Sequence, residues 1–199
     1  MLFYYVKGGF GVSVWTVAGY KPYELGIFKK DDPAVFFIKK ALEKELRRLL
    51  EEGMEWLLIS GQLGVECWAA EVLFELKKEF SDAKLAVLTP FLQQHENWKE
   101  DNQTYYEAIL AQADFVDSVS KEPYKNPVQF RNKNQLFLQK AAGLLAVYDE
   151  EKTGSPQYLW NMARALQQNQ PFEIRQITFY DLQLIAEEEQ LKETDWDYS

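Results

Sequence analysis

Short apolar runs that alternate with longer stretches of helical periodicity constrain this chain more than any single motif does. Residues 12–18, VSVWTVA, form a β-branched run closed by Gly19. The segment DDPAVFFIKKALEKELRRLLEEG then reads as a helix. Asp32 stands where an N-cap belongs, Pro33 suits the first helical position, and Gly53 stops it. Val35, Ile38, Leu42, Leu46, Leu49 and Leu50 recur at helical spacing along it. EWLLIS, KLAVLTP, DFVDSVS, GLLAVY and FEIRQIT supply further strands, of which DFVDSVS alternates least clearly. Between them lie helical stretches beginning at Val65, Asn97 and Val128, one capped by Ser155 with Pro156 at its first position, and a short one from Asp181.

Strands separated by helices of this length indicate βαβ units and a parallel sheet covered on both sides. The expected fold is α/β: a Rossmann-like doubly wound, mostly parallel sheet of about six strands with helices on both faces. No Pro/Gly/Ser-rich linker divides it, so 12–186 reads as a single domain. Residues 187–199 read as an acidic tail that frays. Residues 1–11 read as a mis-assigned start, because Lys7-Gly8-Gly9 is encodable by a ribosome-binding sequence and Val12 by a GUG codon. Their one basic residue and lack of a cleavage site do not suit a signal peptide.

A net charge of -9 opposes a general phosphate-backbone binder, so nucleic acid is not an expected partner. The one cysteine, Cys67, forms no internal disulfide and suits a reducing cytoplasm. No apolar run is long enough for a membrane span. The lone His95 has no metal-ligand spacing, and neither a GxxxxGK[ST] phosphate loop nor a nucleophile elbow is present, so no metal or cofactor is required.

Ligands of such sheets lie beyond the carboxyl ends of the strands, which directs attention to four loops. Ser60-Gly61-Gln62-Leu63-Gly64 follows a strand and opens a helix. Its glycines either serve a tight turn or bring free amides to an anion. Glu66, in the first turn, favours the positive helix end or accepts ribose hydroxyls. Gly19, Tyr20, Lys21, Tyr23 and Glu24 form either a surface turn or a site where aromatics stack on a base and the lysine meets a phosphate. In the loop from Thr89 to Trp98, the Trp98–Asn97 pair either reads a base or anchors the next helix. Gly154 and Ser155 either grip an anion or simply cap a helix. QFRNKNQLF places Phe130, Lys133 and Asn134 on one helix face and Arg131 and Asn134 on another, an amide-rich patch that faces a ligand or a subunit. Cys67 reads as buried packing rather than a nucleophile.

GYKPYELGIF, LISGQLGVE, TPF, NWKE, LAQAD, QFRNKNQ and YDEEKTGSPQY together resemble the YpsA-type family of small bacterial proteins, in order and over residues 14–185. That family is placed in the SLOG superfamily of Smf/DprA-like and LOG-like Rossmann-fold proteins, thought to bind or process nucleotides or their derivatives. SGQLGVE is similar to the SGLARGID-like loop of DprA proteins, and FRNKNQLF to their FxxRNRxIA helix. The resemblance implies Gly61, Gly64 and Glu66 against the ligand, Lys133 and Asn134 near its phosphates, and Gly154 and Ser155 at the turn after the fifth strand. The PGGxGTxxE motif of LOG-type phosphoribohydrolases is absent.

Three functions follow. One is a sensor or regulatory module that binds an ADP-ribose-like nucleotide derivative, with diphosphate on the amides of Ser60 to Glu66 and the base on Tyr20, Tyr23 or Trp98. Another is an N-glycosidic hydrolase in which Glu66 is catalytic. The third is an interaction module with a vestigial pocket, whose acidic, aromatic surface docks a protein partner or a second copy of the chain.

Overall fold

The computed structural model of the chain describes residues 12–29 and 31–196. The expected start, 1–11, and the last residues of the tail, 197–199, lie outside the described residues. Six strands alternate with six α-helices: β1 Ser13–Gly19, α1 Pro33–Glu51, β2 Met54–Ile59, α2 Val65–Leu76, β3 Lys84–Thr89, α3 Glu100–Gln112, β4 Phe115–Ser118, α4 Val128–Lys140, β5 Gly143–Val147, α5 Gln157–Gln167, β6 Glu173–Ile177 and α6 Phe179–Trp196. The strands form one fully parallel sheet in the order β4-β3-β2-β1-β5-β6. This is the Rossmann-like arrangement that the alternation of elements predicts.

The order reverses beside β1. The chain winds from β1 outward through β2, β3 and β4, then crosses back to lay β5 and β6 on the other side. Side chains of successive strand residues point to opposite faces, so both faces of these apolar strands must be covered. Val17, Leu57, Ile59, Leu85, Val87 and Leu145 pack with α1, α2, α3 and α6. Ala18, Leu144 and Ala146 pack under α5, and Leu58, Ala86 and Leu88 pack with Phe137 of α4. Thr16, fully buried in β1, satisfies its hydroxyl by donating to the Leu58 carbonyl at 3.0 Å.

Local chemistry sets the helix ends. Asp32 caps α1 by accepting from the Ala34 N–H at 2.9 Å, with Pro33 at the first helical position. α1 buries Val35, Ile38, Leu42, Leu46 and Leu49 against the sheet, the face that the spacing defines. Two expectations change. Ser155 does not cap α5, whose N-cap is Pro156; the Ser155 hydroxyl is drawn to Glu24 instead. The final helix is not short: α6 runs through the stretch expected to fray, and its Leu182 and Ile185 lie against the core of the α1 face.

Leu46 is fully buried in this core. Leu46→Ala removes those contacts and leaves a cavity, so urea unfolding should show a loss of about 3 kcal/mol with the denaturant slope unchanged.

Candidate functional site

A cavity of about 670 Å³ opens at the carboxyl end of the sheet, where the strand order reverses. Open α/β sheets place ligands at such a point, and the volume suits a small molecule. Its floor is the end of β1, Ala18 and Gly19. One wall is the turn between β2 and α2, with Ser60, Gln62 and Glu66. The other walls come from α4 and α5.

The β2–α2 turn departs from its expected role. Glu66 is 7 % exposed, and its carboxylate curls back over the turn. Oε2 accepts from the Ser60 N–H at 2.7 Å, the Ser60 hydroxyl at 2.8 Å and the Gln62 N–H at 3.4 Å. The Val65 N–H donates to the Tyr20 carbonyl at 3.2 Å. The expectation that amides of Ser60 to Glu66 hold a ligand diphosphate is corrected for three of them: Ser60 and Gln62 are drawn to the chain's own carboxylate and Val65 to a carbonyl, and that carboxylate sets a negative charge where the anion was expected. Gly64 and Gly61 serve the turn rather than ligand approach. Gly64 has φ +99°, and a Cβ there would lie 2.5 Å from the Tyr20 carbonyl oxygen. A Cβ on Gly61 would meet the Tyr106 ring at 2.6 Å.

The turn after β5 repeats the device. Glu24, on the single 3-10 turn Pro22–Leu25, accepts from the Ser155 N–H and hydroxyl, both at 2.8 Å, and from the Lys21 N–H at 2.7 Å. Ser155 lines the cavity, yet its amide is not free to grip an anion. Glu24 is a strut between two loops, not a ligand contact.

Four further candidates lie away from the cavity. Tyr20 is fully buried, so it does not stack on a base. Its hydroxyl lies 2.7 Å from the Lys152 carbonyl and 3.0 Å from that of Asp149, and accepts from the Asp149 N–H at 3.2 Å. Its ring stacks on Phe179 at 5.7 Å, and Gly154 is small because a Cβ would strike that ring. Burial raises the Tyr20 pKa above the usual phenol value. Tyr23 is exposed beside Lys21 and does not line the cavity. The Thr89 hydroxyl donates to the Phe91 carbonyl at 3.0 Å, closing its own turn. Trp98 packs on Tyr106 at 5.2 Å and so anchors α3, while His95 stacks on the same ring at 4.9 Å. Cys67 is fully buried in α2.

The amide-rich helix does face the cavity. Phe130, Arg131, Lys133 and Asn134 line it, together with Lys21. Lys133 and Asn134 are each only 7 % exposed. The Lys133 ammonium sits 4.8 Å over the Phe137 ring, and no hydrogen bond or ion pair holds either side chain among the described residues. Burial holds the Lys133 pKa below its ordinary value; the Glu66 carboxylate pulls it back up and the Lys21 ammonium pushes it further down. Largely buried polar groups that no hydrogen bond or ion pair holds are costly to keep, and here they border the cavity.

The α5 wall, with Tyr158, Asn161 and Met162, was not singled out in the sequence. Spacings of three and four residues put these side chains on one helix face, and a mid-helix amide beside a methionine was the available signal. Among the described residues no group of His, Cys, Asp or Glu side chains is arranged to hold a metal, and no helix is long and apolar enough to cross a membrane.

Residues 15–182 match the YpsA SLOG family. A UPF0398 protein of Bacillus licheniformis is 56% identical over 177 residues, covering 89% of this chain and 97% of the relative. Another from Bacillus cereus is 58% identical over 179 residues, covering 90% and 97%. Among solved structures, DNA processing protein A of Helicobacter pylori, described for its single-stranded DNA binding mode, aligns with a TM-score of 0.52 at 18% identity. It covers 81% of this chain, which spans 64% of that protein's length, less than two thirds. That likeness is one of fold.

The glycine geometry separates two substitutions. Gly64→Ala should lower stability by about 2–4 kcal/mol through backbone strain and the clash with Tyr20. Gly26→Ala, at φ +74° with open space around it, should lose only about 1 kcal/mol in the same denaturation assay.

Proposed function

The chain belongs to the YpsA SLOG family, and we propose that this member binds a nucleotide derivative of the ADP-ribose type in the cavity, as a sensor or regulatory module. One observation carries the reading: Lys133 and Asn134 are buried, held by no hydrogen bond or ion pair among the described residues, and line the same cavity as Glu66. Phosphate oxygens meet Lys133, Asn134, Lys21 and Arg131. Side chains, not main-chain amides, supply the anion site. The base lies on the apolar wall made by Phe130, Tyr158 and Met162.

A hydrolytic reading draws on the same Glu66, which lines the cavity. With Oε2 held by two amides and a hydroxyl, only Oε1 is left to engage a water or a sugar. The single-stranded DNA binding of the Helicobacter pylori protein suggests a third assay, although a net charge of -9 works against a polyanion.

Calorimetric titration with AMP, ADP and ADP-ribose should give binding that weakens at least about tenfold in Lys133→Met. Absence of heat and of any thermal shift for all three at millimolar concentration sinks the proposal. Release of free base that Glu66→Gln abolishes moves the assignment to hydrolase, and a gel shift with an oligonucleotide moves it to nucleic acid.

Lys133 also makes a stability prediction. Its folded pKa lies below its ordinary value of 10.5, so the unfolded chain binds the extra proton between the two values and wild-type stability rises with pH across that window. Without ligand, Lys133→Met should be more stable than wild type by about 1 kcal/mol near neutrality. Its advantage should shrink as pH climbs toward 10.5 in equilibrium unfolding.

A further inference from the structure

We propose that the cavity selects ribonucleotides over 2′-deoxyribonucleotides through a wall of hydrogen-bond acceptors on the β2–α2 turn, and that Gln94 is the positioning residue that sets that wall's polarity. This rests on the nucleotide reading above.

Gln94 is 8 % exposed and lies behind the turn. Its Nε2 donates to the Ser60 carbonyl at 2.8 Å and to the Tyr106 hydroxyl at 3.0 Å. A carbonyl only accepts, so the nitrogen end of this amide must face Ser60. The oxygen end is thereby turned to Gln62, whose Nε2 lies 3.5 Å away. Gln62 Nε2 spends one of its two N–H groups on Gln94, which leaves Oε1 as the acceptor of a residue that lines the cavity, beside the second N–H. Gln93, immediately before, is the one non-glycine residue with positive φ among the described residues, at +57°.

Glu66 adds a second acceptor. Its Oε1 has one donor, the Ser60 hydroxyl at 3.1 Å, and retains a lone pair. The Ser60 proton is engaged by the carboxylate, so Glu66 Oε1 and Gln62 Oε1 are the acceptors this wall offers, and the carboxylate charge repels phosphates. The opposite side, with Lys133, Asn134 and Lys21, offers donors. A 5′-nucleotide fits that polarity in one orientation, with phosphates toward α4 and sugar hydroxyls toward Gln62 and Glu66. A 2′-deoxy sugar leaves an acceptor buried without a partner, and sites built around a hydroxyl reject the analogue that lacks it.

Calorimetry with ADP, 2′-deoxy-ADP and inosine diphosphate tests this on the wild type, Gln62→Met and Gln94→Leu. Wild type should hold ADP at least about tenfold more tightly than 2′-deoxy-ADP, and inosine diphosphate about as tightly as ADP. Both variants should bring the ADP to 2′-deoxy-ADP ratio toward one while 2′-deoxy-ADP affinity is kept, a pattern that simple loosening of the fold does not produce. Gln62→Met alone suffices if Gln94→Leu fails to fold. Equal wild-type affinity for ADP and 2′-deoxy-ADP overturns the inference and leaves nucleotide binding standing. Discrimination against inosine diphosphate alone overturns it too, since the wall then reads a base amine. Failure of all three ligands to bind removes the nucleotide reading and the inference with it.

Discussion

The point on which this architecture turns is the burial of Tyr20 directly after the central strand. Its backbone carbonyl receives the Val65 N–H and presses on Gly64, fixing the start of α2. Its hydroxyl meets the backbone of Asp149 and Lys152, fixing the loop after β5. Its ring lies on Phe179 at the head of α6. One residue, through its backbone carbonyl and its side chain, therefore ties together segments that diverge to opposite faces of the sheet. The crevice at the strand reversal has its shape because those segments cannot drift apart.

Within that frame, two carboxylates occupy the places where a Rossmann-like domain ordinarily offers amides to phosphate. Glu66 fills the β2–α2 turn and Glu24 fills the turn after β5. Negative charge built into both turns moves the attractive region for an anion to α4, where Lys133 lies close enough to Glu66 for the carboxylate to act on its ionisation. The result is a polarised cavity, basic and donor-rich along one helix and acceptor-rich along the facing turn. Geometry of this kind orients a ligand through unlike ends rather than through one dominant contact.

The sheet and its helices were legible because strand runs and helical spacing are local signals: the α1 stripe from Val35 to Leu49 falls on the core as its periodicity requires. The patch on α4 was legible for the same reason, since helical spacing alone puts Phe130, Lys133 and Asn134 on one face of an amide-rich stretch, and that face lines the cavity. The burial of Tyr20 was not legible because an aromatic at a strand end looks alike whether its ring turns outward or under a neighbouring loop, and Asp149 and Lys152 decide that from far along the chain. Glycine spacing at Gly61 and Gly64 suggested a phosphate cradle, but Tyr106 and the Tyr20 carbonyl, distant in sequence, are what forbid a side chain there. The α5 wall escaped notice because Tyr158, Asn161 and Met162 acquire meaning only once α4 is seen opposite them.

The Glu24 strut has a mechanical consequence. By holding the 3-10 turn to Ser155, it braces the two lips of the crevice at a set separation before any guest arrives. A braced mouth has little ordering entropy left to lose on association. Under the proposed function, the ligand meets a mouth whose loops are already tied to each other.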